Sequence, residues 1–149
     1  MDSPFAEFGP AISPGGDWVA YVSDESGRPE VYVRAFPDGG RPYPISTEVS
    51  YAPSWAPDGS EIYLVTRQGV VAARVDTESG VVVESRSDLF GGPFELVSSG
   101  GGAEYDVAPD GRFVSVFETA AQGGASLPPV VVLNVFEELR QRLGESRRR

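Results

Sequence analysis

The phrase Trp55-Ala56-Pro57-Asp58-Gly59 decides the fold, because related phrases recur on both sides of it. The recurrences are Ile12-Ser13-Pro14-Gly15-Gly16 and Val107-Ala108-Pro109-Asp110-Gly111. In such a phrase proline presets the first turn position, aspartate accepts backbone hydrogen bonds, and glycine supplies a positive φ where the chain reverses. We therefore predict a tight hairpin turn at each of the three sites.

Strand-like segments follow each turn at a regular spacing. The segments after the turns span residues 18–23, 61–66 and 113–118, the third strands span 30–36, 70–75 and 129–134, and fourth strands are predicted at 43–46 and 87–90. A repeat of roughly 45 residues containing a four-stranded antiparallel meander is typical of one propeller blade. The sequence thus predicts an all-β chain of three blades, at about 1–47, 48–97 and 98–136.

The C-terminal residues break this pattern. Asn134 and Glu137 have the spacing of a capping box, and Leu139 and Leu143 share one face of a helix. We predict a short helix and a disordered polar tail over residues 137–149.

The composition excludes several kinds of chemistry. The 149 residues include no His and no Cys, and all 12 cationic side chains are Arg. Ser-His-Asp and Cys-His catalysis, zinc sites, disulfides, Schiff-base chemistry and a P-loop lysine are therefore excluded. The net charge of −10 argues against nucleic-acid or anionic-membrane partners. We expect no enzymatic activity, no cofactor and no metal.

Localisation is predicted from what the first residues lack. No apolar run reaches the length of a bilayer span, and Met1-Asp2-Ser3-Pro4 does not resemble a signal peptide. The chain as given is expected in the cytoplasm, or outside the membrane if it is part of a membrane kinase.

The repeat resembles the TolB-like β-propeller, a WD40-like repeat. The segments Trp18 to Gly27 and Glu30 to Pro37 are similar to propellers fused C-terminally to bacterial serine/threonine protein kinases, and Val130 to Arg140 is similar to the last residues of those chains. The resemblance implies a propeller, commonly six-bladed, that works as a binding or sensing module, of which this chain would be the C-terminal half. It implies no kinase activity, because the Gly-rich loop and the catalytic lysine are missing.

Several residues permit both a functional and a structural interpretation, and the structural one is favoured for each. Asp58 and Asp110 resemble metal ligands but are better explained as turn caps. Residues 99–102 resemble a phosphate loop, but they open no helix and are better explained as the connection between blades two and three. Residues 147–149 could bind an anion, but a solvated, disordered end is favoured on an acidic protein. The remaining candidates are aromatic residues that suit either a stacking platform or the core between blades: Trp18, Trp55, Tyr63, Tyr105 and Phe113.

A binding site is expected where loops gather at the mouth of the propeller channel. These loops mix acidic, arginine and aromatic side chains, a composition suited to protein or peptide recognition. The candidate residues are Glu7, Phe8, Glu25, Arg28, Glu48, Tyr51, Arg67 and Glu104.

Three functions stay open at this point. The favoured one is a non-catalytic protein-binding or sensor module. The others are a gating propeller of a prolyl-oligopeptidase-type hydrolase and a purely structural assembly unit.

A homodimer is also predicted, because closed propellers need about four to eight blades and two copies of three would complete a ring of six. At each joint of that ring, residues 3–8 of one protomer would pair with residues 130–133 of the other.

Overall fold

A computed structural model describes residues 3–91, 105–117 and 130–131, and every regular element in these ranges is a β-strand. All strand pairs are antiparallel, which confirms the predicted all-β class. The chain divides into two compact units, Met1–Ala103 and Glu104–Arg149. The predicted C-terminal helix lies outside the described residues.

The first unit contains two four-stranded meanders, each with its strands in chain order. Sheet 1 is formed by β1 (Glu7–Ile12), β2 (Trp18–Ser23), β3 (Glu30–Ala35) and β4 (Gly39–Pro44). Sheet 2 is formed by β5 (Ser50–Trp55), β6 (Glu61–Thr66), β7 (Gly69–Asp76) and β8 (Val82–Gly91). The fourth strands begin four to five residues earlier than predicted, at Gly39 and Val82, because pairing with the third strand overrides the local glycines and charges.

The second unit contains three described strands. They are β9 (Tyr105–Val107), β10 (Phe113–Phe117) and β11 (Val130–Val131), in the spatial order β11-β10-β9. The third predicted meander therefore shows three strands, and a fourth is absent from the described part of this unit.

The N-terminal segment of the predicted joint is partly a strand of sheet 1, and its pairing with a second protomer stays a prediction. Glu7 pairs with Ser23 and Phe8 pairs with Val22 of the same chain. These residues form the first strand of sheet 1 and are not a spare segment.

The three repeated phrases form the same turn. The amide of the closing glycine donates to the carbonyl of the residue before proline, from Gly16 to Ser13 (2.9 Å), Gly59 to Ala56 (2.9 Å) and Gly111 to Ala108 (2.8 Å). These glycines have φ values of 81°, 75° and 81°. An L-residue with a Cβ rarely adopts this conformation, so the positive φ of the turn explains why all three copies have glycine at this position.

The turn aspartates cap the chain reversal. Asp58 Oδ1 accepts hydrogen bonds from the amide (3.0 Å) and the hydroxyl (2.7 Å) of Ser60. Asp110 Oδ1 accepts one from the amide of Arg112 (3.2 Å). The bonds from Ser60 lower the pKa of Asp58 below its usual value, and the amide bond from Arg112 does the same for Asp110. In the first copy, where glycine replaces aspartate, Ser13 Oγ accepts the Trp18 amide instead (3.1 Å).

The Asp58 cap predicts a pH-dependent stability. The carboxylate has a lowered pKa in the folded chain, so its stabilisation is complete above the unfolded value of about 3.9 and is lost as pH falls through the folded pKa. We expect Asp58→Asn to lower the free energy of unfolding at pH 7 by no more than about 1 kcal/mol, because the group is exposed. Urea titrations at pH 7 and pH 3 should show a smaller difference at pH 3. Asp38→Asn, in the exposed β3–β4 turn, is the control, and an unchanged difference between the two pH values contradicts the prediction.

The first strands of the two sheets, β1 and β5, carry the same bulge. The register shifts between Phe8 and Ala11 in β1 and between Tyr51 and Ser54 in β5. A positive φ lies inside each bulge, at Gly9 (63°) and at Ala52 (51°), and a proline follows it in both strands. The bulge is thus a repeated feature of the meander, as the turn is.

The two sheets enclose one apolar core. The core consists of Ala20, Val22, Val31, Val33 and Ile45 on the side of sheet 1, and of Trp55, Ile62, Leu64, Val71, Ala73, Val75 and Val81 on the side of sheet 2. Ile45 and Val81 adjoin the strands β4 and β8, and the other core residues alternate along strands. The Trp55 indole Nε1–H donates to the carbonyl of Ala11 (3.1 Å), which ties the end of β5 to the end of β1. Pro14 and Gly59 of the two repeated turns are also neighbours, so the equivalent ends of the two packed sheets lie side by side.

This alignment gives the first unit two distinct ends. We call the end with residues 13–17, 36–40, 56–60 and 77–81 the turn end. The opposite end carries the links between β2 and β3, β4 and β5, and β6 and β7, residues 24–29, 45–49 and 67–68, and we call it the connection end.

Candidate functional site

The connection end holds four of the eight predicted site residues, and three more lie beside it in the first residues of β1 and β5. Glu25 and Arg28 lie between β2 and β3, Glu48 precedes β5, and Arg67 lies between β6 and β7. The prediction of a loop is wrong for the other three described residues, Glu7, Phe8 and Tyr51, which lie in the paired strands β1 and β5. The bulges at Gly9 and Ala52 let β1 and β5 include these residues as paired strand positions. Glu104 lies outside the described residues.

Phe8 and Tyr51 form an aromatic pair near the beginning of β1 and β5. Their ring centroids are 6.4 Å apart and the rings are stacked with an interplanar angle of 28°. Both side chains pack against the core and are half-buried. They occupy the same position relative to the bulge in sheets 1 and 2, so the repeat itself brings them together.

Arg28 ties the first two links of the connection end to each other. Its Nε donates to Glu30 Oε1 (2.8 Å) and its Nη2 donates to the carbonyl of Thr47 (2.7 Å). The amide of Ser50 also donates to the carbonyl of Pro29 (3.1 Å). Glu30 is nearly buried whereas Arg28 is half-exposed, with side-chain exposures of 7% and 53%. The guanidinium therefore combines a structural role with an accessible surface.

Glu25, Glu48 and Arg67 lie on three separate links. Glu25 is half-buried, and the side chains of Glu48 and Arg67 are exposed. The only hydrogen bond found for Glu48 in the described residues uses its backbone carbonyl, which accepts from Ser50 Oγ (2.9 Å). The structure thus brings Phe8 to Tyr51 and Arg28 to the neighbouring link, while the other charges surround them.

A second cluster lies on the face of sheet 1 that points away from sheet 2, and the sequence analysis missed it. The Arg34 guanidinium lies 4.7 Å above the Tyr21 ring and is bonded to the Glu7 carboxylate (3.4 Å). Tyr32 lies beside Tyr21, with ring centroids 6.2 Å apart. The sequence feature that could have indicated this cluster is the six-residue link after Ser23, because it sets the register in which Tyr21 lies opposite Tyr32.

The buried tyrosines have pKa values even higher than that of a free tyrosine. Burial raises the pKa of Tyr21 and of Tyr32 above 10.0, and with the nearby Glu61 carboxylate it raises the pKa of Tyr63 to about 12. All three phenols are therefore neutral hydrogen-bond donors near neutral pH and are unsuited to act as bases. Within the described ranges, no group of three or more acidic side chains could hold a metal ion.

The recurring aromatic residues lie in the interior. Trp55, Tyr63, Tyr105 and Phe113 are at most 7% exposed. Trp18 packs against the core and meets Tyr43 edge to face, with centroids 6.1 Å apart. These positions fit packing and not an accessible stacking platform.

No protein-family model matches this sequence. Among solved structures, TolB from Acinetobacter baumannii matches with a TM-score of 0.41 and 20% identity, over 89% of this chain and 44% of the TolB chain. The sequence thus spans less than half the length of that structure. The described part of the chain contains no helix long and apolar enough to cross a membrane.

Proposed function

We propose that the chain is a non-catalytic protein-binding module with β-propeller architecture, related to the propellers of bacterial kinases. The observation that carries this proposal is the connection end of the first unit. There, one aromatic pair and an anchored arginine are surrounded by exposed charges of both signs. Aromatic and arginine side chains dominate the energetic centres of protein interfaces.

The propeller architecture rests on three repeated features. The two sheets of the first unit share the four-stranded meander, the Pro-x-Gly turn and the bulged first strand. Such repetition is typical of blades placed around an axis. The resemblance to kinase-fused propellers supports a regulatory context for the module.

A rigid scaffold suits binding more than chemistry. Phe8 and Tyr51 lie on strands and pack against the apolar core, and Arg28 is held by two hydrogen bonds, so these side chains are preorganised for a partner. The sequence contains no histidine, cysteine or lysine, and the buried tyrosines stay protonated. The six-bladed homodimer and the cellular location stay predictions.

The test compares two variants that keep the net charge. Glu48→Arg with Arg67→Glu inverts exposed charges at the connection end, and Glu78→Arg with Arg41→Glu inverts exposed charges elsewhere in the same unit. Partners captured on the immobilised full chain are identified, purified and titrated by calorimetry. We expect the first variant to weaken binding at least tenfold, or about 1.4 kcal/mol, and the second to bind as the original chain does.

Two results contradict the proposed function. The first is an equal loss of affinity in both variants, or no purified partner that binds. The second is hydrolytic or phosphoryl-transfer turnover by the purified chain that a point substitution abolishes.

A further inference from the structure

The outer edge of sheet 2 differs from the other strand edges of the first unit. The strand orders place β1, β4, β5 and β8 at the edges of the two sheets. Three of these strands contain proline, at Pro10 in β1, at Pro42 and Pro44 in β4, and at Pro53 in β5. Proline lacks the N–H that a further strand would need, and it protects an edge from pairing. The fourth edge strand, β8, has no proline and is ten residues long.

The middle of β8 is exposed and regular. Residues 84–88 are all exposed, and residues 85–88 pair with β7 without a register shift. The pairs Arg86 with Ala73 and Asp88 with Val71 place Arg86 and Asp88 on the same face of the sheet. Within the described residues, the outer backbone edge of this segment pairs with no other strand.

This segment is complementary in charge to a second copy of itself. A two-fold axis through Ser87, perpendicular to the sheet, would bring two β8 strands together in an antiparallel pair. Arg86 would then lie opposite the partner's Asp88, and Asp88 opposite the partner's Arg86. Opposite charges directly across an antiparallel pair stabilise it, whereas like charges destabilise it.

Arg86 is already held in place for such a contact. Its Nε and Nη2 donate to the carbonyl of Ile45, at 2.9 and 2.6 Å, which fixes the guanidinium at the rim of the sheet. An arginine has five N–H donors, so three are left for a carboxylate. The side chain therefore loses little further freedom on pairing.

We propose that the chain forms a homodimer through antiparallel pairing of β8, centred on Ser87, which joins two copies of sheet 2 into one eight-stranded sheet. The contact is one strand pair and is smaller than a standard interface, so we expect a dissociation constant on the order of micromolar. This inference is independent of the proposed partner-binding site, which lies at the connection end. It is an alternative to the predicted six-bladed ring, whose joints would use residues 3–8 and 130–133 and would not depend on Asp88.

The first test measures the mass of the full chain by sedimentation velocity over a concentration series. We expect reversible association from 15.9 kDa to twice that mass. Asp88→Arg places two positive charges opposite each other at both contacts between positions 86 and 88, and it should weaken the dimer more than tenfold. Asp88→Asn only removes the negative charge and should weaken the dimer less. Glu78→Arg, the same charge change in the β7–β8 turn, is the control and should leave the dissociation constant unchanged. Far-UV circular dichroism checks that each variant keeps its sheet content.

The second test uses a mixture of two variants. Asp88→Arg and Arg86→Asp each place like charges across the pair in their own homodimers. When mixed, they restore both opposite-charge contacts, so native mass spectrometry should show the heterodimer in excess of either homodimer. A monomer at all concentrations, a dimer equally sensitive to Asp88→Arg and Glu78→Arg, or a mixture without preferred heterodimer would overturn the proposal.

Discussion

Gly69→Ala is expected to lower the free energy of unfolding by more than about 3 kcal/mol, because the added Cβ would collide with backbone atoms of the paired strand. Gly69 begins β7 with φ of 150°. A Cβ at this position would collide with the carbonyl oxygen of Phe90 and would lie 2.8 Å from Gly91 Cα. Both neighbours are backbone atoms of the paired strand, so relief requires β7 and β8 to separate locally.

The matched control for this substitution is Gly40→Ala. Gly40 also has a positive φ, 96°, but nothing lies within 4 Å of its added Cβ. Its cost should be only the conformational strain, about 1–2 kcal/mol. Guanidinium titrations of both variants separate collision from strain, and equal effects for the two glycines would contradict the close approach at Gly69.

Trp55→Ala is expected to destabilise the first unit by about 3–5 kcal/mol. Trp55 is 7% exposed, belongs to the core between the two sheets, and donates to the Ala11 carbonyl. Alanine removes both the packing and the hydrogen bond. The free energy of unfolding should be measured by circular dichroism, because the substitution removes one of only two tryptophans.

Trp55→Phe separates the two contributions. Phenylalanine keeps an aromatic ring in the core but leaves the Ala11 carbonyl without its donor, at a cost of about 1–3 kcal/mol. A loss as large as that of Trp55→Ala would show that the hydrogen bond, and not the packing between sheets, holds the sheets together.

The sequence predicted the class of fold because its strongest signals are local. The turn chemistry at Pro57-Asp58-Gly59 and the alternating residues of β2 and β6 are determined within a few neighbouring residues. The same locality misled the prediction for Glu7 and Phe8, which were treated as a spare segment ahead of Gly9 and Pro10. In the structure Gly9 and Pro10 occupy a bulge, and β1 continues through it to Glu7 because pairing with β2 satisfies the backbone on both sides.

The candidate site was predicted in composition but not in contacts. Turn spacing placed Arg28 and Glu48 at one end of the sheets, since links after even-numbered strands share an end of a meander. The stacking of Phe8 on Tyr51 and the bond from Arg28 to Thr47 join residues from different strands and links. Such contacts depend on how two sheets pack, and no local pattern encodes that packing.

The sequence by itself therefore determined the all-β class, the repeated turns and the residue types that the chain lacks, since these follow from composition and near neighbours. Only the tertiary structure decided the alignment of the two sheets, the arginine–tyrosine cluster at Arg34 and the unprotected edge at β8. These features arise from register and packing between residues far apart in the chain. The free energy that selects them is the burial of the shared core and the satisfaction of its backbone hydrogen bonds.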